Sequence, residues 1–421
     1  MSDDEVILAR AALSRLFEPS DSVGLALVAA AGPVHALQIA TGAVDAPRAV
    51  AAEAAQVLSP GASRGSVLAE GLQWWAPRVA DLAPERDLET IHRLGGELLV
   101  PEDPRWPESL RHLQLEMPLC LWVRGDLGRG LPELGRTVAL VGSRDATGYG
   151  GSIAGDISAG LANRGYTVVS GGAYGIDAQA HRAALASAPA DTTATIAVMA
   201  CGADRFYPAG NEDLLRTVAG RGLLLSEVPP GSAPTRWRFL QRNRIIAALS
   251  AVTVVVEARW RSGALNTAHH AAGLGREVGA VPGSVYSANS AGCHRLLRDG
   301  SAVCVTDAQE VAELAGPLDG SSRFQAGQGQ LDPARPGEPD VPGETGESGR
   351  RAGENRADHD GLSVEDLLLL DALPVRSGTT IGKLASVAGL SLQGVRAGLA
   401  RLELEGLAVR SESGQWRRGR R

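Results

Sequence analysis

The chain of 421 residues has one lysine, four cysteines and 4% aromatic residues, and the first two scarcities exclude classes of protein. The chain has no Gly-Lys-Ser/Thr motif, and its single lysine, Lys383, lies near the C-terminal end, which excludes a P-loop ATPase. The cysteines are widely spaced and never form Cys-x-x-Cys, so we predict neither a metal site nor a disulfide framework. Because aromatic residues are few, aliphatic side chains must supply the core.

Long apolar runs are also absent. No stretch of about 18 uncharged apolar residues occurs, so we predict no membrane span. The start Met-Ser-Asp-Asp-Glu does not resemble a secretory signal, and we expect a cytoplasmic protein. The net charge is -7, yet residues 201–300 contain 12 arginines against 7 acidic residues. An anionic partner is expected to meet this basic region first, although codon preference also explains a bias toward arginine.

Composition divides the chain into four segments. Residues 1–80 are helical in pattern, typical of a SAM or helix-hairpin-helix-like domain, and residues 81–316 hold a lead-in and an α/β core. Residues 317–360 contain five arginines, nine acidic residues and many glycines and prolines, so we predict a disordered linker. Residues 361–421 regain helical periodicity in the element order of a winged helix, which fits a DNA-binding or a protein-binding module.

Strands alternate with helices after Arg136. Six aliphatic runs are separated by helical segments: TVALVG, YTVVSGG, TIAVMACG, GLLLSEV, AVTVVVEA and REVGAVPG. Aliphatic strands joined by helices form parallel sheets covered on both faces. We therefore predict a doubly wound, Rossmann-like α/β core with a mostly parallel sheet. A further short strand is predicted at residues 119–123, in the lead-in.

The first of these strands ends in a glycine-rich loop within VALVGSRDATGYGG. The loop does not fit G-x-G-x-x-G, so a dinucleotide fingerprint is not supported. It offers Gly142, Ser143 and Arg144 before a helix start, where backbone N–H groups and a guanidinium can bind a phosphate. A plain tight turn is the alternative if this loop stood alone.

A second glycine-rich loop follows the next strand, in SGGAYGIDAQAH. Ser170, Gly171, Gly172 and Gly175 let the backbone approach a ligand closely. Both loops lie at the carboxyl ends of parallel strands, where ligands bind in open α/β folds. His181 follows on the helix, and we favour a structural role for it over a catalytic one.

Arginines and aromatic residues alternate in TRWRFLQRNRII. Cations that meet phosphates, beside aromatic faces that stack on bases, are typical of sequence-tolerant single-strand binding. On a helix, Arg244 points about 200° away from Arg242, so one of these two is expected to be structural. The candidate binding residues are Arg238, Phe239, Arg242, Asn243 and Arg244.

A third candidate anion pocket follows the strand AVTVVVEA, where Ser262 and Gly263 open another helix. Glu257 ends the strand. It fits a general base or a partner for an arginine, and we favour the pairing.

These stretches together resemble the DNA-processing protein DprA (Smf) family. The matching segments are VALVGSR, VVSGGAYGIDAQAH, TIAVMACGADRFYPAGN, LLLSEVPPG, RNRIIAALS, VVVEARWRSGALNTAHHAAGLGREVGAVPGS and GCHRLLRDG, within residues 101–311. The resemblance implies a helical N-terminal domain, a Rossmann-like core and a C-terminal winged helix. It also implies binding of single-stranded DNA without an enzymatic step or cofactor, dimerisation through the core, and loading of a RecA-type recombinase onto strands coated by single-strand-binding protein.

The resemblance assigns the DNA groove to the Gly-Ser-Arg loop, residues 142–144, and the Arg-Asn-Arg helix, residues 242–244. This chain departs from the family in carrying Tyr174 where an arginine is usual, and Leu240 where a proline is common. Without that arginine the phosphate contact is weaker, but a tyrosine can stack on a base instead.

Two other functions are compatible with parts of the sequence. Related Rossmann-like phosphoribohydrolases cleave nucleoside monophosphates, but their Pro-Gly-Gly-x-Gly-Thr loop is missing here. The second alternative is a regulator whose winged helix binds duplex DNA. Its third helix would carry only Arg396 and Arg401 among acidic residues, a poor recognition face.

Overall fold

The computed structural model describes residues 3–58, 66–128, 130–190, 192–316, 366, 369–370, 372–374, 378–388, 390–411 and 414–419. The predicted linker at residues 317–360 lies outside the described residues. Among those described, no helix is long and apolar enough to cross a membrane.

The described residues of the N-terminal part form six α-helices: α1 (Asp3–Leu16), α2 (Ser22–Ala31), α3 (Pro33–Ala40), α4 (Arg48–Leu58), α5 (Ser66–Val79) and α6 (Pro84–Arg93). Five of them enclose an apolar cluster that includes Leu13, Leu27 and Trp75. Asp21 caps α2 by accepting from the Gly24 N–H at 3.1 Å, and its second oxygen accepts from Trp75 Nε1 at 2.9 Å. One carboxylate therefore fixes both the start of α2 and the central tryptophan.

The core is built on one sheet of nine strands: β1 (Gly96–Leu99), β2 (Leu121–Arg124), β3 (Thr137–Val141), β4 (Thr167–Gly171), β5 (Thr195–Met199), β6 (Leu223–Ser226), β7 (Val252–Val255), β8 (Glu277–Ala280) and β9 (Val303–Cys304). The strand order is β1-β2-β6-β5-β4-β3-β7-β8-β9. The strands from β3 to β9 are parallel, whereas β2 pairs antiparallel with both β1 and β6. The α/β class with a mostly parallel sheet is thus confirmed.

All six aliphatic runs are strands, β3 to β8. Sequence reasoning missed β1 and β9, and β2 begins two residues later than predicted. Seven helices pack around the parallel strands: α7 (Gly148–Asn163), α8 (Ile176–Ser187), α9 (Glu212–Arg221), α10 (Arg236–Ala248), α11 (Gly263–Gly273), α12 (Ala291–Arg298) and α13 (Ala308–Ala315).

Helices cover both faces of the sheet because successive strand residues point to opposite sides. In β3, Val138 and Leu140 pack with α7, α8 and α13, whereas Ala139 and Val141 pack with α10 and α11. The chain runs from β3 outward to β6, then returns to place β7 beside β3. The carboxyl ends of β3 and β7 therefore form a topological switch point, where open α/β sheets bind ligands.

The C-terminal part contains α14 (Ile381–Ala388), α15 (Leu392–Leu404) and an antiparallel pair, β10 (Ala408–Arg410) with β11 (Trp416–Arg418). Helix α14 rests on the core, where Val387 O accepts from Asn266 Nδ2 at 3.0 Å and Lys383 Nζ lies 4.8 Å from the Trp237 ring centre. The longer helix and the hairpin of the predicted winged helix correspond to α15 and to β10 with β11. Most of the first predicted short helix lies outside the described residues, and the winged-helix assignment stays a prediction.

Candidate nucleic-acid interface

A cavity of about 640 Å³ opens at the switch point and is called the pocket below. Its walls come from loops after β3, β4, β5 and β7 and from α10 and α11. The lining residues that matter here are Gly142, Ser143, Arg144, Asp145, Asp177, Tyr207, Arg236, Phe239, Arg242, Asn243, Arg259, Arg261, Ser262 and Gly263. Five of them are arginines and two are carboxylates, so the cavity suits an anionic ligand.

The Gly-Ser-Arg loop after β3 is held by backbone hydrogen bonds on both sides. The Ser143 N–H donates to Glu257 O at 2.7 Å, and Ser143 O accepts from the Ile176 N–H at 3.1 Å. Gly175, with φ of 75°, sits so close that a Cβ there would overlap Ser143 O. The fixed loop leaves Arg144 exposed at the pocket rim.

Phe239 receives two guanidinium groups. The Cζ atoms of Arg144 and Arg242 lie 4.6 Å and 5.7 Å from its ring centre, within cation–π range. The Tyr207 ring lies 5.9 Å from the same centre, tilted by 53°. Cations and aromatic faces are thus interleaved in space as well as in sequence.

Arg242 lies at the floor of the pocket and is buried. Its Nη1 donates to Val198 O at 2.5 Å, and its Nη2 is 3.7 Å from Asp177 Oδ2. Burial lowers the pKa of Arg242 and the nearby Arg144 lowers it further, whereas Asp177 opposes the shift. The long ion pair therefore leaves the buried charge incompletely compensated, although arginine stays protonated.

Asn243 and Ser262 shape the adjoining wall. Asn243 Nδ2 donates to Gly263 O at 3.3 Å and to Asn266 Oδ1 at 3.0 Å, while its Oδ1 accepts from Arg242 Nε at 3.2 Å. Ser262 caps α11 by accepting from the Ala264 N–H at 3.3 Å. The asparagine thus orients the buried arginine instead of facing the cavity freely.

Comparison with known proteins identifies the family of the chain. The family model for DNA recombination-mediator protein A matches residues 97–316. The chain belongs to the DNA recombination-mediator protein A family. It is 41% identical over 426 residues to a putative DNA processing protein DprA from Mycobacterium tuberculosis, covering 98% of this chain and 95% of that one.

Two further relatives support the assignment. The chain is 32% identical over 352 residues to Protein Smf of Synechocystis sp., covering 80% of this chain and 84% of the relative. The X-ray structure of DNA processing protein A (DprA) from Streptococcus pneumoniae is 28% identical with a TM-score of 0.56, covering 74% of this chain and 98% of that one. The resemblance to the DprA (Smf) family is confirmed.

This member of the DNA recombination-mediator protein A family brings most of the predicted residues together. Eight line the pocket: Gly142, Ser143, Arg144, Phe239, Arg242, Asn243, Ser262 and Gly263. Tyr174 and Gly175 line a second depression of about 610 Å³ between α7 and α8, which shares Arg144 and Asp145 with the pocket. Arg144 and Asp145 therefore form a ridge between the two concave surfaces.

Three predicted residues of the second loop lie beneath the surface. Ser170 is fully buried and donates from Oγ to Leu140 O at 2.6 Å. A Cβ at Gly171 would overlap the Arg242 guanidinium, so this glycine makes room for that side chain. Gly172 is buried under Met199 and the Tyr207 backbone. These positions shape the site from below, which corrects the expectation that they approach a ligand directly.

Two predicted arginines are engaged elsewhere. Arg244 is 0% exposed, and its Nη1 and Nη2 donate to the Glu227 carboxylate at 2.8 and 2.6 Å. Arg238 donates from Nε and Nη2 to Glu18 at 3.1 Å, which ties α10 to the N-terminal helices. Neither lines the pocket. Of the two arginines in the Arg-Asn-Arg segment, Arg244 is therefore the structural one. Its assignment to the DNA groove is wrong, because its guanidinium is buried against Glu227.

Three arginines of the pocket were not among the predicted binding residues: Arg236, which lies in the predicted TRWRFLQRNRII segment, and Arg259 and Arg261, which sequence reasoning missed. Arg259 donates from Nη2 to Asp145 Oδ2 at 2.5 Å and from Nε to Asn289 Oδ1 at 2.6 Å, which links the loops after β3, β7 and β8. Arg259 and Arg261 directly follow the carboxyl end of β7. Ser262 was predicted because it lies between the end of β7 and the start of a helix, and the same position argues equally for these two arginines.

Glu257 and His181 have structural surroundings. The Glu257 carboxylate accepts from the Thr147 N–H at 2.9 Å and from Thr147 Oγ1 at 2.5 Å, so it fixes the start of α7 instead of pairing with an arginine as we expected. His181 is fully buried, with Nε2 2.8 Å from Gly171 O and Nδ1 2.7 Å from Thr195 Oγ1. Burial lowers its pKa to about 4, so it is neutral at pH 7.

Proposed function

We propose that this protein binds single-stranded DNA in the pocket and acts as a recombination mediator. The observation that carries the proposal is the stack of Arg144 and Arg242 on Phe239 at the switch point. The guanidinium groups pair with backbone phosphates, and the half-buried Phe239 ring and the exposed Tyr207 ring stack on bases. Since every base has an aromatic face, such binding has little sequence preference.

Arg242 supports this proposal by its electrostatics. It is a buried cation with a lowered pKa and a carboxylate 3.7 Å away, so its charge is incompletely offset. A phosphate in the pocket supplies the missing negative charge. Arg144, exposed on the rim, meets the same strand from outside.

Family membership supports the finer part of the proposal. The family model carries the name DNA recombination-mediator protein A, and the relative from Mycobacterium tuberculosis carries the name putative DNA processing protein DprA. We propose that this chain acts as a homodimer and loads a RecA-type recombinase onto single strands coated by single-strand-binding protein. Binding and handover require no enzymatic step and no cofactor.

The binding step is tested with the Arg144→Ala variant of the full chain. We expect it to lose most of its affinity for a fluorescein-labelled oligo-dT, measured by anisotropy. The log-log salt slope is expected to fall by about 0.7 for each phosphate that no longer pairs with the protein. Arg164→Ala is the matched control, because Arg164 is also exposed but ends α7 at the opposite edge of the sheet. Equal affinity of Arg144→Ala and wild type would overturn the assignment of the pocket.

The mediator step is tested by recombinase filament formation on single strands coated with single-strand-binding protein. We expect filaments to form faster with this protein than without it, and Arg144→Ala to remove the acceleration. Light scattering reports the oligomeric state in the same samples. Strand binding without any acceleration would leave a DNA-binding protein but reject the loading function.

The absence of an enzymatic step is tested separately. Nucleoside monophosphates are incubated with the protein and screened for base release, with Glu257→Gln as the control variant. We expect no release. Turnover by the wild type that Glu257→Gln abolishes would favour the phosphoribohydrolase alternative.

A further inference from the structure

Exposed tyrosines are concentrated on one side of the molecule. The chain has five tyrosines, of which Tyr166 is buried and four are at least 42% exposed: Tyr149, Tyr174, Tyr207 and Tyr286. Among the described residues only one other aromatic side chain, Trp74 in α5, is as exposed. Isolated exposed aromatic residues are ordinary, but four on one surface of a chain with 4% aromatic residues mark a binding surface.

Each of the four tyrosines follows a different parallel strand at its carboxyl end. Tyr207 follows β5, Tyr174 follows β4, Tyr149 lies in the first turn of α7 after β3, and Tyr286 follows β8. Those strands are neighbours in the order β5-β4-β3-β7-β8. With about 4.8 Å between adjacent strands, the row spans roughly 19 Å at the level of the sheet.

Tyr286 marks the far end of the row and is 97% exposed. It sits in a tight turn, closed by the Ser287 N–H donating to Ser284 O at 3.0 Å. Tyr149 OH donates to Pro282 O at 2.7 Å, just before this turn. Because the Tyr286 ring is almost fully exposed, it adds nothing to the stability of the core and is available to a partner.

The turn that holds Tyr286 is fastened to the pocket. Asn289 Nδ2 donates to Asp145 O at 2.6 Å, and Asn289 Oδ1 accepts from Arg259 Nε at 2.6 Å. Asp145 and Arg259 both line the pocket. A strand that leaves the pocket past Arg259 therefore meets a surface held in fixed position by side-chain hydrogen bonds.

We propose that Tyr149, Tyr174, Tyr207 and Tyr286 form a row of base-stacking platforms that carries single-stranded DNA across the sheet edge from β5 to β8. The inference rests on the proposed DNA binding and extends it beyond the pocket. Arginines lie in the loops after β3, β5 and β7, between and beside the tyrosines: Arg144, Arg205, Arg259 and Arg261. The exposed carboxylate of Asp145 is paired with Arg259. This charge pattern favours a nucleic acid over an apolar protein surface.

The test compares oligo-dT strands of increasing length, from about 4 to about 16 nucleotides, on the full-length protein. We expect Tyr286→Ala to bind the shortest strands like wild type and to bind the longest about 5- to 150-fold more weakly, the loss that corresponds to one stacked base. Tyr286→Phe restores affinity, because stacking does not need the hydroxyl. Trp74→Ala, the matched exposed aromatic on α5, leaves binding unchanged.

A strand with abasic sugars at the positions that meet the β8 turn separates stacking from charge. Its affinity is expected to be the same for wild type and Tyr286→Ala. An equal loss on abasic and normal strands, or no loss on long normal strands, would overturn the row. If the wild-type protein binds no strand at all, the proposed function itself fails. If Arg144→Ala weakens DNA binding but Tyr286→Ala does not, only the tyrosine row is rejected and binding in the pocket stands.

Discussion

Arg242 and Arg244 lie two residues apart on α10 and are both buried, yet their guanidinium groups have opposite surroundings. Arg244 makes a two-point ion pair with Glu227, and this carboxylate raises its pKa despite burial. Arg242 has a carboxylate only at 3.7 Å, and burial lowers its pKa. Burial alone therefore does not separate a structural arginine from the one that we propose to meet the DNA. What distinguishes the two arginines is whether the guanidinium has a carboxylate partner within hydrogen-bond distance.

The comparison extends along the whole helix. Phe239, Arg242 and Asn243 serve the pocket, whereas Trp237 contacts Lys383 of α14 and Arg238 pairs with Glu18. Helix α10 thus joins the sheet to the N-terminal and C-terminal parts. Substitutions on its two sides are expected to separate into effects on stability and effects on DNA binding.

The largest expected effect is on the structural side. Arg244→Ala leaves the Glu227 carboxylate, which is only 10% exposed, without its partner, so we expect the free energy of unfolding to fall by about 3 kcal/mol in urea titrations. Arg244→Met with Glu227→Leu removes both charges and is expected to recover much of the loss. A stability within about 0.5 kcal/mol of wild type for Arg244→Ala would place Arg244 with the ligand-facing residues after all.

The free energy of unfolding is expected to fall at acid pH because of one buried histidine near each of the two arginines. His181, near Arg242, and His270, near Arg244, are buried, and burial lowers their pKa values to about 4 and about 3. Below pH 6.5 the unfolded chain takes up protons that the folded chain refuses, so stability is lost as pH falls toward 4. Each histidine contributes a slope of up to about 1.4 kcal/mol per pH unit. Thermal unfolding across pH 4–7 measures it.

The control for this prediction is His181→Gln, which keeps a neutral hydrogen-bonding side chain. We expect its stability to fall less steeply below pH 6.5 than that of wild type. Parallel curves for the two proteins would show that His181 takes up a proton as readily in the folded as in the unfolded state, and would contradict a pKa lowered by burial.

The strands of the parallel core could be predicted from the sequence, but the side-chain partners within that core could not. Aliphatic runs predicted β3 to β8 because buried parallel strands are apolar on both faces. The two-residue β9 has too little pattern to detect. Helical period showed that Arg242 and Arg244 point apart, but the partner that decides their roles, Glu227, is 17 residues away. Glu257 likewise meets Thr147 across 110 residues. Such contacts depend on the fold and not on local pattern.

An intermediate effect is expected from Gly171→Ala. The added methyl group overlaps the Arg242 guanidinium and must displace it from the pocket floor. We expect DNA affinity to fall about 10- to 100-fold, the range for losing a charge-assisted hydrogen bond. Gly151→Ala is the matched control, because a Cβ there only reaches ordinary contact distance from Gln179. Unchanged affinity in Gly171→Ala, measured by anisotropy, would mean that DNA does not use Arg242.

The smallest effect is expected from Arg238→Ala. Arg238 was a groove candidate in the sequence, but its guanidinium pairs with the partly exposed Glu18 and does not line the pocket. Such pairs contribute about 0.2–1 kcal/mol, so we expect a small loss of stability and DNA affinity within about twofold of wild type. Glu18→Ala should reproduce the stability change. If Arg238→Ala instead weakens DNA binding strongly while Glu18→Ala does not, the arginine leaves Glu18 to meet the strand. The binding face of α10 would then begin a full turn earlier than Arg242.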